Sequence, residues 1–293
     1  HERWHEAVNA GREALEALVA TGSDSHDGRG RVVKYAAETL VAGGRVLQND
    51  ETVLEGHRAG FGCERSDSSL AELLQAGEAV GRRESVLEQA IELLESDTEG
   101  RTRMHVKALL MAGRLGETFA IARSAKAVGW THPDSTGGLC FAAILAHAAG
   151  RHADTLPTIE RLLEEHAGPS QVFIDSQTDE KERHTRSYLV SSVMEGVAKA
   201  ELDENIVASY LRWAETVGRA RVDFIVSQKQ RGAYRRAAEV LVALAELYAA
   251  TGRPQLAADL IDEYRDRFNR HSAFKRELRE ALSQTDLRGI SRG

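Results

Sequence analysis

Proline is nearly missing from this chain. There are 4 in 293 residues, about 1 % against a usual level of about 5 %. Aromatic residues are also few, at 5 %. A large all-β protein needs many turns and many aromatic or β-branched positions, so that class is disfavoured first. Two cysteines, Cys63 and Cys140, cannot build a disulfide framework, and their plainest role is as buried apolar thiols. No apolar run reaches the roughly 18 residues that a membrane span requires. The opening HERWHEAVNAGREALEALVA is amphipathic and acidic and lacks the apolar heart of a signal peptide. With nothing arguing for export, a cytoplasmic location and no membrane contact are expected. The chain begins at His1, as a fragment would.

What is present is helical. Hydrophobic residues at 42 % and charged residues at 28 % fit a folded chain rather than a disordered one. A Gly-Arg pair follows helical, Ala/Leu/Val-containing runs at Gly11, Gly44, Gly81, Gly113, Gly150, Gly218 and Gly252. The gaps are 33, 37, 32, 37, 68 and 34 residues, and 68 is twice 34. A period of about 34 is the length of a tetratricopeptide-type helical hairpin. Three further pairs, at Gly28, Gly30 and Gly100, fall outside the register. Glycine just past a helix takes the left-handed conformation that closes it. Most in-register pairs are therefore expected as tight turns, with Gly11 the exception, since its surroundings read as one continuous helix. The best copy runs from Leu241 to Tyr264, with Ala245, Tyr248, Gly252 and Ala257 where the pattern wants small, aromatic, glycine and small residues. Leu74, Val106 and Ala143 take the place of Ala245 in other copies.

The expected fold is an all-α, right-handed α-solenoid of antiparallel helical hairpins, tetratricopeptide-like, with about fourteen helices. Ser66 and Asp203 are placed as helix caps and Pro254 as a first helical residue. Residues 203–217 and 219–231 are expected as two helices parted at Gly218, and the last helical stretch breaks near His271. The rhythm fails at the turn-rich 129–138 and at 167–177. The division that follows is N-terminal repeats over 1–166, an irregular insertion or hinge over 167–190, and C-terminal repeats over 191–293.

Residues 204–282 carry KQRGAYRRAAEVL, then a long Ala/Leu hairpin, then YRDRFNRHSAFKREL. This order resembles the C-terminal helical region of bacterial and archaeal SWIM zinc-finger proteins, with its "AYxxAAxxL" helix and an Arg-His pair ahead of "AFxxEL". GWTHPDSTGG also looks like a segment that follows the repeat hairpins there. The resemblance implies a helical partner to a finger. The finger's C-x-C…C-x-H ligands are not in this sequence, where the two cysteines lie 77 positions apart. Its zinc and nucleic-acid role does not carry over to these residues.

Chemistry-bearing motifs are thin. His1 and His5 share a helix face at a chain end, and His147 and His152 straddle a turn. No glycine-rich dinucleotide or P-loop signature occurs. Gly137-Gly138 could offer backbone N–H groups to an anion at a helix start. His132, Asp134 and Ser135 are close in sequence, which is not triad geometry. Pairs such as Glu164-Glu165 read as solvated faces. No catalytic residue, cofactor or metal is expected.

Charge is uneven. Residues 218–293 hold 15 basic and 10 acidic side chains, whereas the rest balances at −12 within a total of −7. Lys229, Arg231, Tyr234, Arg235 and Arg236 crowd one helix junction, and Arg265, Arg267, Arg270, Lys275, Arg276 and Arg279 follow. Arginine beside an aromatic can hold phosphate and stack a base. Interleaved acids (Asp262, Glu263, Asp266, Glu277, Glu280) offer a salt-bridged surface instead. The expected function is a non-catalytic scaffold binding a protein partner on stacked helices. The alternative is a nucleic-acid-associated module using the basic end, with an enzyme of unrecognised site a distant third.

Overall fold

The computed structural model describes residues 1–21, 26–96, 102–132, 135–150, 156–168 and 180–289. Among them are fourteen α-helices and no strand, so the chain is all-α. They are α1 Glu2–Thr21, α2 His26–Val46, α3 Asp50–Cys63, α4 Asp67–Ala79, α5 Arg83–Glu95, α6 Thr102–Met111 and α7 Leu115–Ala122. Then come α8 Gly137–Ala149, α9 Pro157–Ala167, α10 Glu180–Lys199, α11 Glu204–Ser227, α12 Tyr234–Ala250, α13 Pro254–Arg267 and α14 Ser272–Ser283. No described helix is long and apolar enough to cross a membrane.

The residues form two compact units, 1–104 with 174–189, and 105–173 with 190–293. The boundary expected at 166/167 therefore falls inside the second unit, and much of the expected hinge (169–179) lies outside the described residues. The first half of α10 belongs to one unit and the second half to the other.

In the first unit α1 packs on α2, α2 on α3, α3 on α4 and α4 on α5. Short connections make neighbours antiparallel. Leu40, Leu54, Phe61, Leu70, Leu74, Leu87 and Ile91 form its core. In the second unit α12 lies against α8, α9, α11, α13 and α14, and its Val240–Leu247 stretch is buried all round. A helix with that many neighbours cannot afford a polar face, which explains its Ala/Leu/Val run.

Gly81, Gly113, Gly150 and Gly252 have positive φ, as the turn reading expects. At Gly252 the next residue, Arg253, donates its N–H to the carbonyl of Tyr248 at 2.8 Å, and Gly252 donates to Ala249 at 3.1 Å. These two bonds satisfy the last carbonyls of α12 and define a Schellman end. Gly11, Gly44 and Gly218 instead lie inside helices. Gly44 and Gly218 thus correct the turn reading. Gly218 sits inside one helix, α11, where two were expected. A Cβ there would come within 3.0 Å of the Phe141 ring, so this glycine serves close packing.

The corresponding turns are made by residues that carry side chains. Gln48 (φ 53) and Lys229 (φ 55) take the left-handed conformation. Each is followed by the same long bond, from Asn49 to the Gly44 carbonyl at 2.8 Å and from Gln230 to the Ile225 carbonyl at 3.0 Å. Elsewhere the local chemistry is as read. Ser66 and Ser69 form a reciprocal capping box on α4, Pro254 opens α13, and His271 stands between α13 and α14. Asp203 precedes α11 without a side-chain cap bond.

Candidate functional site

A broad cleft lies in the first unit, and three consecutive helices build most of it. From α2 come Lys34, Ala37, Glu38, Val41, Ala42 and Arg45, which recur at helical spacing along one face. From α3 come Gly56, His57, Gly60, Phe61 and Cys63, and from α4 Ser66, Ser68, Ser69 and Glu72. Lys181 in the first turn of α10 completes the wall. The volume is about 770 Å³, well within the range of ligand pockets.

The helices are held hard together here. A Cβ on Gly56 would lie 2.8 Å from the Ala37 carbonyl oxygen and 2.9 Å from the Val41 nitrogen, so the α2 and α3 backbones approach too closely there for any side chain. Asn49 caps α3 by accepting from Thr52 N–H at 3.1 Å. Arg12 on α1 donates to Thr52 at 3.0 Å and to Glu55 at 2.8 Å, fixing the outer side of α3. The cleft walls are therefore rigid elements rather than loops.

Its electrostatics are mixed. Glu72 pairs with Lys181 at 2.7 Å and faces His57 Nδ1 at 3.7 Å. Burial lowers the His57 pKa below its ordinary value, and Glu72 opposes that shift while Arg45 and Lys181 reinforce it. Lys34 pairs with Glu64 at 3.0 Å. Cys63 is exposed on the rim, with its Sγ 3.4 Å from the Gly30 carbonyl oxygen, whereas Cys140 is fully buried. Only one of the two thiols is thus the apolar core group expected, and burial pushes the Cys140 thiol up.

The basic junction lies in the second unit. Lys229 closes α11 and is exposed, and Arg231 is exposed on a single 3-10 turn, Arg231–Ala233. Arg235 reaches back to Glu239 at 3.0 Å, and Arg236 pairs with Glu165 on α9 at 3.3 Å. Tyr234 is only 3 % exposed. Its ring meets Phe274 edge-on at 5.9 Å, and its hydroxyl lies 3.5 Å from His271 Nδ1. Tyr234 is a core residue and offers no face on which a base could stack. The structure does bring the two basic segments together, since Tyr234 joins the start of α12 to the α13–α14 turn. Arg265 pairs with Asp262, Arg267 with Asp223 and Arg276 with Glu277, while Lys229, Arg231 and Arg270 have no ion-pair partner among the described residues.

Of the remaining sequence candidates, the Gly137-Gly138 pair resolves into packing. Gly137 and Gly138 form the first turn of α8 and are covered by Trp130 and the His166 ring. Asp134 and His152 lie outside the described residues. Arg221, 6 % exposed, stacks on Trp130 with its guanidinium carbon 4.6 Å from the ring centroid, and burial brings its pKa down to about 10.

No family model, curated protein or solved structure matches this chain. Sequence reading missed Glu38, Arg45, His57, Glu72 and Lys181, because a cleft is a property of several helices at once. The trace it leaves is the run Lys34, Ala37/Glu38, Val41/Ala42, Arg45 opposite Gly56 and Gly60, small residues facing small residues with charges at each end.

Proposed function

We propose that this chain is a non-catalytic helical-repeat scaffold that binds a protein partner, with the cleft across α2, α3 and α4 as its principal site. A cytoplasmic location goes with that reading. The observation that carries it is the cleft's construction. Consecutive hairpins leave an open groove with small apolar residues on its floor (Ala37, Ala42, Gly60) and charges of both signs on its rim. Stacked hairpins of this kind present extended surfaces for other chains. Residues 204–282 then serve as their resemblance implies, as the helical neighbour of a finger supplied from elsewhere.

The test is affinity capture with the full 293-residue chain and with Gly60→Gln. A Cβ at Gly60 meets only Ala37 Cβ at an ordinary 3.9 Å, so the longer side chain can enter the groove without disturbing α2 or α3. A protein retained by the parent and lost with the variant supports the reading. Equal retention by both, or no retained protein, contradicts it.

A second reading has one observation of its own. Lys229, Arg231 and Arg270 are cations without ion-pair partners among the described residues, on segments that Tyr234 and His271 join. In that reading they hold the phosphates of a single-stranded nucleic acid.

A further inference from the structure

We infer that the cleft of the first unit takes an extended, polyproline II-like peptide segment carrying one cationic and one anionic side chain three residues apart, the cation against Glu38 and the anion against Arg45. This inference rests on the scaffold reading and gives its partner a chemistry.

The charges on the rim show what is left for a partner. Lys34 is held by Glu64, and Glu72 by Lys181. Glu38 and Arg45 are both exposed and have no ion-pair partner among the described residues. They are the carboxylate and the guanidinium that an incoming chain can neutralise. Rim charges of this kind select a partner and orient it more than they hold it.

Spacing then selects the conformation. Glu38 and Arg45 are seven residues apart on α2, two turns of helix and about 10.5 Å along its axis. In a β-strand, side chains on one face recur at about 6.6 or 13 Å, and neither fits. In polyproline II, residues three apart return to the same side after about 9.3 Å. Long side chains on both partners absorb the remaining ångström. The ligand's two intervening residues then lie over Val41 and Ala42, and the floor is apolar there.

An exposed aromatic completes the pattern. Tyr35 is 75 % exposed, and on the α2 wheel it is adjacent to Glu38 and Ala42, three and seven residues on. Polyproline II segments dock on grooves with aromatic borders, because their backbone is already ordered and their rings or apolar side chains lie flat against an aromatic face. A tyrosine loses little side-chain entropy in such a contact.

The test is selection of a phage-displayed library of random dodecapeptides against the full chain and against Glu38→Lys, with helicity and melting of both chains measured first. Glu38 is solvent-exposed, so the variant folds as the parent does. On the parent, selected peptides should carry a basic and an acidic residue three apart with proline or apolar residues between, and should bind Glu38→Lys at least tenfold more weakly. On Glu38→Lys the selected pair should become two acids. If both chains select the same peptides with equal affinity, the inference falls while the scaffold reading stands with its site elsewhere. If the parent selects no peptide, the inference also falls, and capture with Gly60→Gln decides the scaffold reading separately.

Discussion

The carboxylate of Glu246 on α12 accepts both the N–H (3.1 Å) and the hydroxyl (2.9 Å) of Thr158, 88 residues away at the start of α9. Both side chains are buried. The first turn of α9 has no local side-chain cap, and Pro157 stands at its start. A distant helix therefore supplies the acceptor that a serine or aspartate usually provides, at the positive end of the helix dipole.

Replacing Glu246 by Ala leaves the Thr158 donors buried without acceptors, and stability should fall by about 1–3 kcal/mol. Chemical denaturation of the parent and of Glu246→Ala measures this. An unchanged midpoint would show that the bond contributes nothing.

The same carboxyl gives a pH signature. Burial pushes its pKa from 4.5 up to about 7, although the Thr158 donors pull it down. The folded state thus holds the proton more tightly than the unfolded chain does. The associated stability is fully present below 4.5 and is lost as pH rises through about 7. Glu246→Gln lacks this loss. Its melting temperature relative to the parent should therefore rise from pH 5 to about pH 7 and level off above that, and a constant difference throughout would contradict the assignment.

Turn geometry makes opposed predictions at Gly252 and Gln48. Gly252→Val places a β-branched side chain at φ 76 and should cost about 1–2 kcal/mol. Gln48→Gly removes a side chain from φ 53, so it should be neutral or stabilising, although glycine in an ordinary helix position costs about 0.5–1 kcal/mol. A large loss with Gln48→Gly would mean that its conformation is not strained.

Close helix approach is tested at Gly196. A Cβ there would run into the carbonyl oxygens of Leu110 and Met111 at the end of α6. Gly196→Ala should lower stability by about 1–3 kcal/mol, as overpacking does. Gly232→Ala, where a Cβ meets nothing within 4 Å, is the matched reference and should change little. Equal melting of the two variants would show that α6 and α10 can part at no cost.

The basic junction makes a prediction for the second reading. If Lys229 and Arg231 hold phosphates, Lys229→Ala with Arg231→Ala should weaken binding to single-stranded DNA and flatten its salt dependence. Absence of binding by the parent at roughly 50 mM salt would remove that reading.

Helices were legible wherever their signals are local. Ser66, Pro254 and the glycines at 81, 113, 150 and 252 act through their own backbone, so sequence places them well. Leu74, Val106 and Ala143 are fully buried. Gly44 and Gly218 misled because glycine has two uses, a left-handed turn and a close contact, and only the neighbouring helix tells them apart. Gln48 and Lys229 were invisible as turns since nothing in a glutamine or lysine announces positive φ. Tyr234 looked like a surface aromatic among arginines, yet Phe274 and His271, some forty residues later, enclose it. The cleft was the least legible feature, because its lining is drawn from four helices and its significance lies in which charges remain unpaired.

Site-specific photo-crosslinking tests the scaffold claim most directly. A photoreactive amino acid replaces Ser68, which lines the cleft and is exposed, or Glu92, which is exposed on α5 outside it. Each full chain is irradiated in a lysate and the adducts are identified by mass spectrometry. The account predicts that Ser68 captures one protein through a single short segment, that Glu92 does not, and that Gly60→Gln in the same chain abolishes the adduct. Adducts from Glu92 alone, or adducts from Ser68 that Gly60→Gln leaves undiminished, would contradict it.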